Sequence, residues 1–230
     1  MINTASRFGI AAVYTHLFGV IFSGLIFPVL AMLVCPQPAW VDAATFIRAF
    51  HPLQTATFFC GFFLILGSLL TFVALYFTAG ENRKIHALSA LVINTFFTAI
   101  VFVNYIIQTT YVPFLAAHNP PETAIILPML TMSNPGSLAW ALEMYGWGGV
   151  GLSFIFAAPV FGRQRPGNIL RILFIVNGVC SFGSALMTSV DMNWLFTPAG
   201  ITALVVWNTL VLVIDVFLLR YFRLRPEAIL

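Results

Sequence analysis

Long apolar runs alternate with short polar interruptions along the whole chain. The runs are too long for strands and too continuous for the amphipathic helices of a soluble domain. A membrane-spanning helix needs about 20 mostly apolar residues, and six stretches satisfy this, at roughly 8–35, 52–79, 87–113, 137–162, 168–190 and 199–221. Turn chemistry separates them. Pro36-Gln37-Pro38 closes the first, and Gly80-Glu81-Asn82-Arg83-Lys84 divides the second from the third. Asn134-Pro135-Gly136 leads into Ser137, a capping residue for the fourth, and Thr197-Pro198 places a proline in the first turn of the sixth. The pattern predicts an all-α, integral membrane six-helix bundle that forms one transmembrane domain over residues 1–230. Between the first two spans, Trp40, Phe46, Ile47 and Phe50 are mixed with Asp42 and Arg48, which suits a short interfacial helix. The 114–136 connection between spans 3 and 4 is long, holds Pro120-Pro121 and then an apolar stretch, and reads as a lid-like loop.

Composition sharpens the class. Hydrophobic residues make up 60% of the 230 positions and charged residues 7%, against about 25% charged in an average soluble domain. So few charges cannot solvate the surface of a soluble protein this apolar, which excludes disorder, nucleic-acid binding and a secreted disulfide scaffold. The three cysteines, Cys35, Cys60 and Cys180, form no paired motif and read as inert. No separate cleaved leader is expected, because the first apolar run is long and lacks a cleavage site. Six spans put the N-terminus, the 80–87 and 163–171 loops and the C-terminus on one side. Arg7, Arg83, Lys84, Arg163, Arg165, Arg171, Arg220, Arg223 and Arg225 lie there, nine of ten basic residues, with Arg48 opposite. The positive-inside bias then places both termini in the cytoplasm.

Polar side chains at membrane depth are costly and usually face a bundle interior, so candidate chemistry is sought there. In the fifth span Asn177, Ser181, Ser184, Thr188 and Asp191 share one helical face, and in the third Asn94, Thr98, Tyr105 and Gln108 do so with Asn104 on the shoulder. The fourth span carries Glu143 with Trp140 and Trp147, then Gly146, Gly148, Gly149 and Gly151, which permit close helix approach. Asn208 and Asp215 share a face of the sixth span, with Arg220 or Arg171 as expected partners for Asp215. His16 and Ser23 mark the first span, and His51 and Gln54 open the second.

These residues fall into two zones. One gathers Glu143, Asp191, Asn104, Tyr105, Gln108, Trp140, Trp147, Asn177 and His51 as catalytic or ligand-binding candidates, with Glu143 and Asp191 as the acid–base pair. The other, an inner-half polar site, gathers His16, Asn94, Asn208 and Asp215. Glu143 carries the sharpest expectation, because a bare carboxylate among aromatics is expensive and must take up a proton, a partner or a ligand.

Several chemistries drop out. The one lysine, Lys84, sits in a loop, which excludes a retinal Schiff base. No metal or cofactor is expected: HExxH, paired cysteines and phosphate-binding glycine loops are missing from the sequence, and His86 lies too near a span edge to join His16 on a haem.

The run TASRFGIAAVYTHLFGVIFSGL, and the run EMYGWGGVGLSFIFAAPVFGRQRPGNILRILFIVNGVCSFGSALM with its glycine-rich span, short basic loop and following span, resemble the DUF4386-like group of bacterial membrane proteins. The resemblance covers about a third of the chain. It implies a compact multi-span bundle resident in a bacterial inner membrane, and no particular activity. The residues themselves support three functional expectations. The first is a membrane-embedded pocket for a lipophilic or amphipathic small molecule, with or without acid–base catalysis. The second is a small-solute or proton-coupled transporter, and the third a non-catalytic accessory subunit. The lipid bilayer is the expected partner, with a homo-oligomer or a membrane-complex partner left open.

Overall fold

The computed structural model describes residues 4–162 and 166–224. Arg163, Arg165 and Arg225, three of the charges used to orient the chain, lie outside the described residues. Eight helices are named here in chain order: α1 Thr4–Val34, α2 Ala43–Ala49, α3 Pro52–Thr78, α4 Glu81–His118, α5 Thr123–Leu130, α6 Leu138–Ala157, α7 Gly167–Val190 and α8 Pro198–Arg223. No strand occurs among the described residues. In a bilayer this is the expected solution, since a helix satisfies its own backbone while an open sheet edge cannot. Five helices, α1, α3, α4, α7 and α8, are long and apolar enough to cross a membrane. Their outward faces carry exposed large hydrophobics such as Phe77, Val92, Phe96 and Val205. A water-facing monomer rarely tolerates so much exposed apolar surface, and the protein is an integral membrane protein.

α6 earns its place differently. It is held between α4 and α7, and more than half of its 20 residues are buried. With helices rather than lipid on its flanks, it tolerates glycines and a glutamate that lower its own hydropathy. A Cβ on Gly146 or Gly149 would strike Val101 or Phe97 of α4, and one on Gly148 or Gly151 would strike Ala185 or Ser181 of α7. The two glycine pairs therefore allow close contact on both sides at once. Helix contacts run α1–α3–α4–α6–α7–α8 and return from α8 to α1, which closes a six-helix ring.

The ring is filled at one end and hollow toward the other. In the filled half, Phe72, Phe154, Phe161, Phe174 and Tyr221 interlock, with ring centroids 4.7 Å apart for Phe154–Phe174 and Phe161–Phe174 and 5.1 Å for Phe161–Tyr221. This is the end of Arg83, whose guanidinium donates to the Val160 carbonyl at 3.2 Å. At the opposite end α2, the tail of α4 and α5 form a small apolar cap around Phe46, Leu115 and Leu127. The short helix expected within 38–50 is Ala43–Ala49, capped by the Asp42 carboxylate. The expected 114–136 loop is mostly ordered helix. α4 continues to His118, stops at Asn119 in the left-handed region with φ 43°, and α5 follows.

Two spans contain a π segment that the sequence pattern did not suggest, Phe22–Ile26 in α1 and Ile107–Tyr111 in α4. Each precedes a proline. Pro28 and Pro113 have no N–H to return to Gly24 and Thr109, and the helix widens there, with Phe27 N–H bonded to Phe22 O and Val112 N–H to Ile107 O.

α1 and α3 touch backbone to backbone: a Cβ on Gly67 would overlap the main chain of His16, and one on Gly19 that of Leu64. Gly67→Ala is expected to cost about 1–3 kcal/mol of stability as overpacking. Gly183→Ala, where a Cβ meets nothing within 4 Å, is expected to be neutral. Thermal unfolding in a mild detergent measures both.

The exposed Asp42 carboxyl is held below the ordinary aspartate range, chiefly by the Thr45 backbone N–H and then by the Thr45 hydroxyl. A depressed carboxylate stabilises its cap above the unfolded value and loses that contribution as pH falls through the folded one. Hydrogen-exchange protection of the Thr45 amide is expected to persist through mildly acidic pH. It is then expected to vanish below the ordinary aspartate range.

Candidate functional site

The hollow half encloses a cavity of about 340 Å³ to which all six ring helices contribute. Ser23 and Gly24 come from the π segment of α1, Thr57 and Leu64 from α3, Tyr105 from α4, Glu143 and Trp147 from α6, Ser181 and Ser184 from α7, and Trp207 and Asn208 from α8. Its rim is exposed at Gly24 and Leu204, between the far halves of α1 and α8.

Glu143 is buried at 8% exposure and receives three hydrogen bonds. Tyr105 Oη–H and Trp147 Nε1–H donate to Oε1 at 2.9 and 2.8 Å, and Asn104 Nδ2–H donates to Oε2 at 3.0 Å. Each donor has a local reason to be there. Trp147 stands four residues after Glu143, one turn along α6. Asn104 and Tyr105 sit side by side near the end of the regular part of α4, just before its π segment. Gly61 of α3 makes room for the Tyr105 ring, which a Cβ would overlap. The orientation of the Asn104 amide is set by a second acceptor, Ala139 O at 3.1 Å. Gln108 then fixes the chain over the cavity, donating to Leu130 O at 2.7 Å and accepting from Met132 N–H at 3.1 Å. Met132 lines the cavity as a result. Among the described residues no cationic side chain pairs with Glu143 or lines the cavity.

Asn104, Tyr105, Gln108, Trp140, Trp147 and Glu143 thus meet, brought together by the packing of α4 on α6. Asp191 and His51 do not join them. α7 ends at Val190 and Asp191 is extended, with φ −145°, so the helical phase used to place it no longer applies. Asp191 is exposed and accepts from Asn193 N–H at 2.8 Å. His51 Nδ1 accepts from Leu53 N–H at 3.1 Å and caps the turn that starts α3, with Gln54 reciprocating. Both are turn residues.

The second group is a separate cluster. His16 Nδ1 meets both oxygens of Asp215, at 2.8 and 3.0 Å, with both residues buried. The expected partners Arg220 and Arg171 are displaced from this role. Five residues along α8 rotate Arg220 about 140° away from Asp215, whereas α1 packs directly on α8. Asn94 Nδ2 reaches Ser68 Oγ and Ser153 Oγ at 3.2 Å each. Asn177, expected among the ligand-binding residues beside Glu143, does not line the cavity and lies deeper, and among the described residues its buried Oδ1 and that of Asn94 have no hydrogen-bond partner. Asn208 belongs to the large cavity instead of this cluster, with Nδ2 donating to Leu204 O at 2.9 Å.

Sequence reasoning missed Trp207, Met144 and Thr57 as cavity residues and gave Ser23 only a minor role. One signal was present for Trp207. Tryptophan favours the membrane interface, and a tryptophan ten residues into a 26-residue helix is a signal for an inward-turned ring.

Comparison with protein-family models, with curated proteins and with solved structures finds no match to this chain. The chemistry of the site is therefore read from its own geometry.

Removing the acceptor strands three donors, on buried Asn104 and Tyr105 and half-buried Trp147. Glu143→Leu is expected to lower stability by about 1–3 kcal/mol, the cost of unsatisfied buried polar groups. Glu143→Gln, which keeps a carbonyl oxygen for Tyr105 and Trp147, is expected to lose clearly less. Parallel thermal unfolding of the two variants checks the order.

Proposed function

We propose that this chain is a six-span membrane protein with both termini cytoplasmic, whose cavity binds a lipophilic or amphipathic small molecule that enters sideways from the bilayer. In this reading α6 is the sixth crossing, enclosed by its neighbours, and the 119–137 connection acts as a lid tethered by Gln108. The observation that carries the reading is the cavity itself. A space of about 340 Å³ walled by six helices, mostly apolar but with one convergent carboxyl group, has the form expected of a small-molecule site. The rim at Gly24 and Leu204 lies beside the exposed apolar side chains Leu25 and Val205, which supports entry from lipid. Binding is favoured over acid–base catalysis because, among the described residues, the lining holds no titratable side chain apart from Glu143 and Tyr105.

Filling the cavity tests this. The neutral fluorophore 1-aminoanthracene is expected to gain fluorescence with the wild-type protein in nanodiscs, by energy transfer from the wall tryptophans. Ala203→Phe and Ser184→Phe are expected to weaken that binding about tenfold or more while thermal stability stays near wild type. Unchanged binding in both variants would remove the pocket from the reading.

A second reading, proton-coupled transport, has its own support. Two voids of about 10 Å³ each lie beyond the cavity, the first sharing Leu64, Trp147, Ser181 and Trp207 with it and the second reaching His16 and Asp215. Each is near the size of one water. Asn177 Oδ1, without a hydrogen-bond partner among the described residues, borders the first void and gives such a water an acceptor. If this path couples protons to solute movement, Asp215→Asn in proteoliposomes is expected to abolish pH-gradient-driven uptake while leaving probe binding intact. Equal uptake would set the second reading aside.

A further inference from the structure

The polar inventory of the cavity is one-sided, and it names a class of ligand for the site proposed above, on whose existence this inference rests. Four of the five tryptophans line the wall, and all four indole N–H groups are already committed. Trp140 donates to Met192 O at 3.1 Å, Trp147 to Glu143 at 2.8 Å, Trp194 to Thr188 Oγ1 at 2.9 Å and Trp207 to Ser181 Oγ at 2.8 Å. The Tyr105 hydroxyl is spent on Glu143, and the Thr57 hydroxyl on the Ser23 carbonyl at 2.6 Å. What the tryptophans still present to a guest is their ring surface.

Acceptors, in contrast, remain available. Glu143 Oε2 takes a single donor, from Asn104, and an ionised carboxylate oxygen accommodates about two. Asn208 uses its Nδ2 on Leu204 O and leaves Oδ1 facing Gly24, where a Cβ would come within 2.6 Å of it and cover it. Among the described residues the lining contains no lysine, arginine or histidine. A carboxylate or phosphate guest would meet Glu143 with no cation to offset the repulsion. A neutral guest that only accepts hydrogen bonds would find one uncommitted amide N–H, the second on Asn208 Nδ2, and otherwise serine hydroxyls.

A cation with N–H donors meets the opposite conditions. Aromatic faces attract a cationic group within about 6 Å of their centroids, most strongly for tryptophan and when water is excluded. A desolvated carboxylate with an open lone pair supplies the counter-charge and accepts the N–H, a charge-assisted bond roughly twice as strong as a neutral one. We infer that the cavity binds a lipophilic amine in its ammonium form, with the charged nitrogen against Glu143 among the indoles and the hydrocarbon body along Leu64, Met144 and Leu204.

The test uses three probes of one shape and different charge: 4-phenylbutylamine, 4-phenylbutanol and 4-phenylbutyrate. Binding to the full-length protein in nanodiscs is followed by tryptophan fluorescence, with each probe corrected for its partition into empty nanodiscs. The amine is expected to bind about tenfold or more tighter than the alcohol, and the acid weakest of the three. Glu143→Gln is expected to erase the preference for the amine and leave the alcohol nearly unchanged. Ala203→Phe, which leaves Glu143 in place, is expected to weaken the amine and alcohol alike, and it serves if Glu143→Gln fails to fold. Equal binding of the three, tightest binding of the acid, or an amine preference that survives Glu143→Gln would overturn the ligand class while leaving the pocket standing. Failure of all three probes to bind would remove the pocket reading and this inference together.

Discussion

A carboxylate taken out of water has to be answered by other groups, and the answer at Glu143 organises one half of this bundle. Burying such a charge without partners costs several kcal/mol even after relaxation. Here Asn104, Tyr105 and Trp147 share the task, two from α4 and one from the helix that carries the acid. The arrangement ties α4 to α6 by polar contacts at the level where their packing meets the cavity. Nearer the filled end the same two helices are joined by steric fit, through Gly146 against Val101 and Gly149 against Phe97. The glycines allow the approach, and the hydrogen bonds select the register.

The bundle separates rigidity from access along its axis. Interlocked phenylalanines fill one half, where α8 buries Val211, Ile214, Leu218 and Phe222. In the other half α1 buries nothing from Phe27 to Val34, and α8 buries only Gly200 before Val211. The π segment of α1 lies at the boundary, and it is the point from which Ser23 and Gly24 reach the cavity. In α4 the π segment holds Gln108, which anchors Leu130 and Met132. Helical widenings of this kind are common at functional sites. In this chain each supplies a residue that either lines the cavity or secures the chain above it.

How much was legible in the sequence follows from the range of the interactions involved. The helices were readable because about 20 apolar residues in lipid leave the backbone no other solution, and their limits followed from local chemistry at Ser137 and Thr197. The meeting of Asn104, Tyr105 and Glu143 was half readable. Helical phase put each on an inward face, but only the packing order of α4 and α6 brings the faces together. The pairing of Asp215 was not readable. His16 lies 199 residues away, and sequence proximity favoured an arginine on the wrong face of α8. Asp191 failed for a simpler reason, since helical phase has no meaning one residue beyond the end of a helix. The π segments escaped the hydropathy pattern because a one-residue change in helical pitch leaves the apolar composition untouched, even though Pro28 and Pro113 marked the places.

The exposed rim at Gly24 and Leu204 has a thermodynamic corollary. Under the proposed function, a guest arriving past those residues would exchange oil for an oil-like wall, so the release of structured water that drives most pocket binding would contribute little on that route. Discrimination among guests then falls on the few contacts that acyl chains cannot offer: a negative oxygen and the electron-rich faces of indoles. Apparent affinity in water would fold in the guest's solubility in the bilayer, and two compounds that the protein holds equally well could differ widely by that measure. Under that proposal the lipid phase would be a reservoir that concentrates candidates, and the interior of the bundle would sort them.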